Sequence, residues 1–130
     1  KGRVTLGVGM GYQPADFQAF GIPMEQRVGR LTEGIEIIRR CWTGEPFSFH
    51  GEQFNLEGLQ VRPAPFQKPA PPLWIGAGTR RGARRAGEIG DAYVTTPSAG
   101  LDTTLGLVNT YRQAAVAAGR QPQVVLMRDA

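Results

Sequence analysis

The chain has 130 residues and a formal net charge of +4, with 41% hydrophobic and 20% charged residues, which suits one soluble globular domain with a sizeable core and excludes a disordered chain. No apolar run approaches the roughly 20 residues that a bilayer-spanning helix needs, and no signal-peptide pattern is present. The single cysteine, Cys41, excludes an internal disulfide and a cysteine-based zinc site.

A cytoplasmic setting without a membrane partner is the resulting expectation. The positive charge comes from thirteen arginines against two lysines, clustered at Arg80-Arg81 and Arg84-Arg85. Aromatic residues for base stacking do not interleave with that stretch, so no nucleic-acid partner is expected.

Residues 3–8 predict a short buried strand. After a polar stretch, Gly21-Ile22-Pro23 leads into a helix over 24–42, where Val28, Leu31, Ile35, Ile38 and Trp42 recur at helical spacing. Glu25, Arg27 and Glu33 are expected to make surface pairs on that helix. Thr43-Gly44-Glu45-Pro46 ends it, because proline cannot continue a helix. The period then changes. Phe47-Ser48-Phe49-His50, Gly51-Glu52 and Gln53-Phe54-Asn55-Leu56 alternate apolar with polar around a glycine turn, a hairpin signal.

Residues 63–72 hold five prolines and form a stiff connector into a second strand, Leu73-Trp74-Ile75. A helix over 80–89 closes at Gly90, a strand covers 91–95, and 96–100 is a loop. Asp102 is the expected N-cap of a helix that runs to about Ala118 and ends at Gly119, and a strand over 124–127 follows. Strands alternating with helices predict βαβ units and a parallel sheet. The chain starts and stops on strand-like segments without flanking residues, which predicts a fragment of a larger domain.

Two strands run straight into glycine turns: Leu6-Gly7-Val8-Gly9-Met10-Gly11-Tyr12 and Trp74-Ile75-Gly76-Ala77-Gly78-Thr79. Strands in one parallel sheet share a carboxyl-end rim, the place where α/β folds bind ligands. Neither cluster completes the dinucleotide fingerprint, since Tyr12 and Arg81 occupy the last glycine positions, and no Walker A loop is present. The run from Gly76 to Arg80 nevertheless offers N–H groups, a hydroxyl, a cation and a helix N-terminus, the parts a phosphate needs. The alternative is a tight strand-to-helix turn that binds nothing.

Tyr12 leaves the first strand at this rim, where it could stack on a ring or simply pack. His50 belongs to the hairpin, Cys41 is expected to be a half-buried packing residue, and Asp91 sits at the entrance of a strand in a structural position. No catalytic constellation and no metal-ligand set can be named from spacing. Spacing yields a cofactor fold and no mechanism.

The segment from Leu6 to Tyr12 resembles the L-G-V-G-x-G-W run of the bacterial-luciferase-like monooxygenase family. Phe20-Gly21-Ile22-Pro23, Arg27, Leu31-Thr32-Glu33, Ile37-Ile38-Arg39 and Trp42-Thr43-Gly44-Glu45 continue the likeness. So do Phe49-His50-Gly51, the run from Pro63 to Pro69, the run from Pro71 to Gly78, and Gly90-Asp91-Ala92. The likeness covers about residues 3–96. It implies an α/β fold, part of a (β/α)8 TIM barrel that binds reduced FMN or the deazaflavin coenzyme F-420 at its carboxyl rim.

Such proteins are flavin-dependent oxidoreductases and monooxygenases that act on a small organic substrate with oxygen or by hydride transfer. The resemblance implies that Gly9, Gly11 and Tyr12 line the isoalloxazine side, and that Gly76, Gly78 and Thr79 bind the cofactor phosphate. Arg80 or Arg81 could face that phosphate. Tyr12 stands where the family more often has tryptophan, and where some deazaflavin members carry a glutamate with a proton-transfer role. A full barrel takes ~250 residues, so the chain is expected to be one partial domain over 1–130 that supplies about strands four to seven, with the hairpin as an insertion. A flavin reductase is a candidate partner, and the full-length parent is expected to be a homo-oligomer. The two rival expectations are a noncatalytic flavin-binding protein and an inactive fragment whose open sheet edges favour self-association.

Overall fold

Short, largely apolar runs make the strands of the parallel sheet, and proline limits how far they extend. In the computed structural model, which describes residues 2–127, the chain order is β1 (Leu6–Val8), α1 (Pro14–Ala19), a 3-10 turn (Met24–Gln26), α2 (Arg27–Thr43), β2 (Phe47–His50), β3 (Asn55–Leu59), β4 (Leu73–Gly76), α3 (Arg80–Ile89), β5 (Ala92–Val94), α4 (Leu101–Ala117) and β6 (Val124–Val125). The residues divide into two units: one is mainly Met10–Ala70, and the other joins Arg3–Gly9 to the residues from Pro71 onward.

The second unit is a four-stranded parallel sheet in the order β1-β4-β5-β6. Register aligns Val8, Ile75, Tyr93 and Val124 in one row, and Gly7, Trp74 and Ala92 in the row before it. Alternate residues point to opposite faces, and the face carrying Ile75 and Tyr93 is buried. Ala83 and Ala86 of α3 and Leu107, Val108, Tyr111 and Ala115 of α4 complete this core. The rings of Tyr93 and Tyr111 stack with centroids 5.4 Å apart. At Gly87 the two helices are in backbone contact, since a Cβ there would lie 2.6 Å from the Tyr111 carbonyl oxygen.

Three strands, β1, β5 and β6, are shorter than the sequence predicts. β1 begins at Leu6 because its partner begins at Leu73, and Pro71 and Pro72 upstream have no N–H to extend the ladder. β6 stops at Val125, where the N–H of Met127 turns to the Thr95 hydroxyl (3.1 Å). Asp91 ties β5 to β4: its N–H donates to the Leu73 carbonyl (2.8 Å), and its carboxylate accepts from the Leu73 N–H (2.8 Å).

Helix ends correct one expectation and bear out two. Asp102 is not the cap of α4; the N-cap is Gly100, and Asp102 lies in the first turn, where its charge complements the helix dipole. Gly90 closes α3 in extended backbone, and glycine is needed there because a Cβ would lie 2.8 Å from the Ala86 carbonyl oxygen. Gly119 does end α4 as predicted. At φ +71° it donates to Val116 O while Arg120 N–H reaches Ala115 O, a Schellman closure.

In the first unit, the polar stretch after β1 contains the unpredicted helix α1, which opens on Pro14 with Asp16 in its first turn. Ile35 is the buried residue of α2, and its other apolar positions are half-buried. β2 and β3 form the predicted antiparallel hairpin, with an irregular register between Phe47 and Phe49. The expected surface pairs do not form around Glu33. Its carboxylate accepts the backbone N–H groups of Glu52, Gln53 and Phe54 at 3.0–3.3 Å, which ties the hairpin tip to α2. Arg27 donates to the Met24 carbonyl, and the helical ion pair that forms joins Glu36 to Arg40. Among the described residues, no helix is long and apolar enough to cross a membrane.

Candidate functional site

Parallel pairing of β1 with β4 brings the two glycine endings side by side. Val8 is level with Ile75, so Gly9 and Gly76 are neighbours at the carboxyl ends of adjacent strands. A Cβ on Gly9 would lie 3.9 Å from the Gly76 oxygen, and one on Gly76 would lie 3.8 Å from the Val8 oxygen. These are ordinary contacts, so packing does not demand glycine at either position. What glycine supplies here is a bare patch of backbone at the rim.

From Gly76 the chain turns into α3 through Ala77-Gly78-Thr79. Ala77 is buried, its N–H reaches Val94 O at 3.4 Å, and its carbonyl accepts the Tyr93 hydroxyl at 2.7 Å. Burial raises the Tyr93 pKa above its ordinary 10, so the hydroxyl stays protonated and donates. Gly78 is exposed, and among the described residues its N–H has no hydrogen-bond partner. Thr79 is the N-cap of α3, and its hydroxyl oxygen accepts the Gly82 N–H (3.1 Å). The hydroxyl proton is left to donate elsewhere. Arg80 opens the helix and is exposed.

Beside this turn lies a cavity of about 280 Å³. Gly78, Thr79 and Arg80 line one side, and Asp102, Thr103 and Gly106 of α4 line the other. An unpaired N–H, a helix N-terminus and a guanidinium suit an anionic group such as a phosphate, whereas the Asp102 carboxylate opposes one. A larger groove of about 480 Å³ runs between α3 and α4 past Arg84, Glu88 and Gln113, but none of the glycine-turn residues lines it.

The predicted residues are therefore gathered in part. Gly9 and Gly76 meet at the rim, and Gly78, Thr79 and Arg80 share a cavity wall that Arg81 does not join. Gly11 and Tyr12 belong to the other unit. Gly11 has a local reason to be glycine, with φ +73° and the Phe17 ring 3.2 Å from where its Cβ would lie. Tyr12 is 78% exposed. His50 stays in the hairpin against Asn55 (2.6 Å) and Glu57 (3.4 Å). The described residues hold no group of three or more potential metal ligands.

Sequence reasoning missed the α4 wall and Tyr93. Consecutive βα units place neighbouring helix N-termini at one rim, so the Asp102-Thr103 turn was open to inference from the alternation itself.

The sequence profile of luciferase-like monooxygenases matches residues 1–129. The chain belongs to that family. Among luciferase-like relatives, an F420-dependent glucose-6-phosphate dehydrogenase of Gordonia bronchialis is 35% identical over 105 residues, 78% of this chain and 30% of that one. An FMNH(2)-dependent dimethylsulfone monooxygenase of Pseudomonas putida is 31% identical over 97 residues, 72% of this chain and 27% of that one. The crystal structure of the monooxygenase RslO1 from Streptomyces bottropensis superposes with a TM-score of 0.83 at 29% identity, covering 95% of this chain and 39% of that one. The α/β architecture is thus part of the luciferase-like TIM barrel, and the chain spans about a third of the length of the curated relatives it matches.

Proposed function

We propose that the chain is the central portion of a single luciferase-like barrel domain, about strands four to seven, from a flavin-dependent oxidoreductase. The observation that carries this reading is the adjacency of Gly9 and Gly76 at one rim, next to the cavity under Gly78, Thr79 and Arg80. Reduced FMN or F420, when bound, supplies the redox chemistry on a small organic substrate. This chain's own residues bind and orient it. Gly9 and Gly76 offer bare backbone to a flat ring system. Gly78 N–H, the Thr79 hydroxyl and Arg80 hold the phosphate.

Relatives whose names specify F420 and FMNH(2) support both cofactor readings. In the FMN reading a separate flavin reductase delivers the reduced cofactor. The full-length protein is a cytoplasmic homo-oligomer in this account.

Gly76→Ala tests the rim. The added methyl meets no close neighbour in the structure, so thermal stability stays within about 1 kcal/mol of the unmodified chain. It does occupy the face offered to the ring, so flavin affinity falls at least about tenfold, which is about 1.4 kcal/mol. Unchanged affinity for FMN and F420 would contradict the assignment.

A further inference from the structure

The glycine turn has little rigidity of its own. Gly76 and Gly78 flank Ala77, and glycine restricts the backbone least of all residues. Something outside the turn must decide which way its peptide groups face. The Ala77–Gly78 bond is trans, and in a planar trans peptide the carbonyl and the following N–H point in opposite directions. The Ala77 carbonyl is held on the core side by the Tyr93 hydroxyl at 2.7 Å. The Gly78 N–H is therefore turned away from the core, and among the described residues it meets no partner.

Resting on the reading of this turn as the cofactor-phosphate site, we propose that Tyr93 is its positioning residue: the buried hydroxyl locks the Ala77–Gly78 peptide so that Gly78 N–H is presented to the phosphate. Tyr93 is suited to this. It is 0% exposed, fixed in register beside Ile75 and stacked on Tyr111. Without its hydroxyl, the Ala77 carbonyl would be left in the core with no partner and would rotate to find water, carrying the Gly78 N–H with it. The same core supplies a matched control. Tyr111 is equally buried, belongs to the same ring stack and has a bonded hydroxyl, but that oxygen accepts the Gln123 N–H (3.0 Å) and does not touch the turn.

The test compares phosphorylated and phosphate-free forms of each chromophore: FMN against riboflavin, and F420 against its deazaflavin core without the phosphate tail. In the unmodified chain the phosphorylated form of one pair binds more tightly. Tyr93→Phe lowers that preference by about tenfold, the worth of one hydrogen bond to a charged group, while Tyr111→Phe lowers thermal stability and leaves the preference intact. Equal effects of the two variants on stability with no change in preference would reduce Tyr93 to a core residue. No preference in the unmodified chain would overturn the phosphate-site reading itself. A measurement without variants guards against misfolding: titration of the unmodified chain with inorganic phosphate shifts the Gly78 amide proton downfield, and an unmoved Gly78 signal contradicts the proposal.

Discussion

At Glu33 one carboxylate receives three successive backbone N–H groups, those of Glu52, Gln53 and Phe54, so the hairpin tip is tied to a helix about twenty residues earlier. Hydrogen bonds to a charged acceptor are typically worth about 1.5–3 kcal/mol. Glu33→Gln is therefore expected to lower stability by about 1–2 kcal/mol in a denaturant titration, with faster amide exchange at residues 52–54. Gly51 belongs to the same device, because a Cβ there would run into the Glu33 carboxylate. Tyr93 gives a second prediction at this scale. Its folded pKa is raised by burial, so the native state keeps a proton that the unfolded chain releases near pH 10. The resulting stability is complete below pH 10 and is lost as pH rises beyond it. Tyr93→Phe flattens that alkaline fall, measured by unfolding free energy between neutral pH and strongly alkaline pH. Residue-scale roles were legible only where the partner is local. Gly119 was read as a helix end from its own neighbourhood, whereas the partners of Glu33 and Tyr93 lie sixteen or more residues away in sequence.

Packing of α3 on α4 sets the position of the cavity wall, and it depends on Gly87. A Cβ at Gly87 would lie 2.6 Å and 2.7 Å from backbone atoms of Tyr111 and Ala115, which cannot move without shifting α4. Gly87→Ala is expected to cost about 1–3 kcal/mol through overpacking. Gly34, in the middle of α2, faces open space, and Gly34→Ala should stabilise by about 0.5–1 kcal/mol, the helix-propensity difference. Thermal melts of the two variants read both signs. The sequence cannot distinguish these glycines, because the difference lies in what a neighbouring element brings to each. Elements with a clear period or end signals were readable: α2 and the β2–β3 hairpin from their period, α3 and α4 from the glycines that close them. The six-residue α1 was not, since it carries no apolar stripe and buries none of its residues. The lengths of β1, β5 and β6 were overestimated because a ladder ends with its shorter partner, which no single segment records.

For the whole molecule, alternation of strand and helix was enough to predict a parallel sheet, and β1-β4-β5-β6 is a parallel sheet. The two glycine endings were legible as a shared rim for the same reason. The alternation also puts the start of α4 at that rim, but the size of the cavity between Gly78 and the Asp102-Thr103 turn was not legible, because it depends on how α4 packs beside α3. Spacing alone carried no redox chemistry, and the cofactor reading rests on the family and on the anion-fitting turn. It is tested most directly by a fluorescence titration of the 130-residue chain with FMN and, in parallel, with F420. Trp74, two residues before Gly76 and on the same strand face, provides an intrinsic reporter. The account predicts saturable binding of one of the two in the micromolar range, with quenching of tryptophan emission; no saturable binding of either would contradict the claim that the two glycine strand ends form the core of a flavin site.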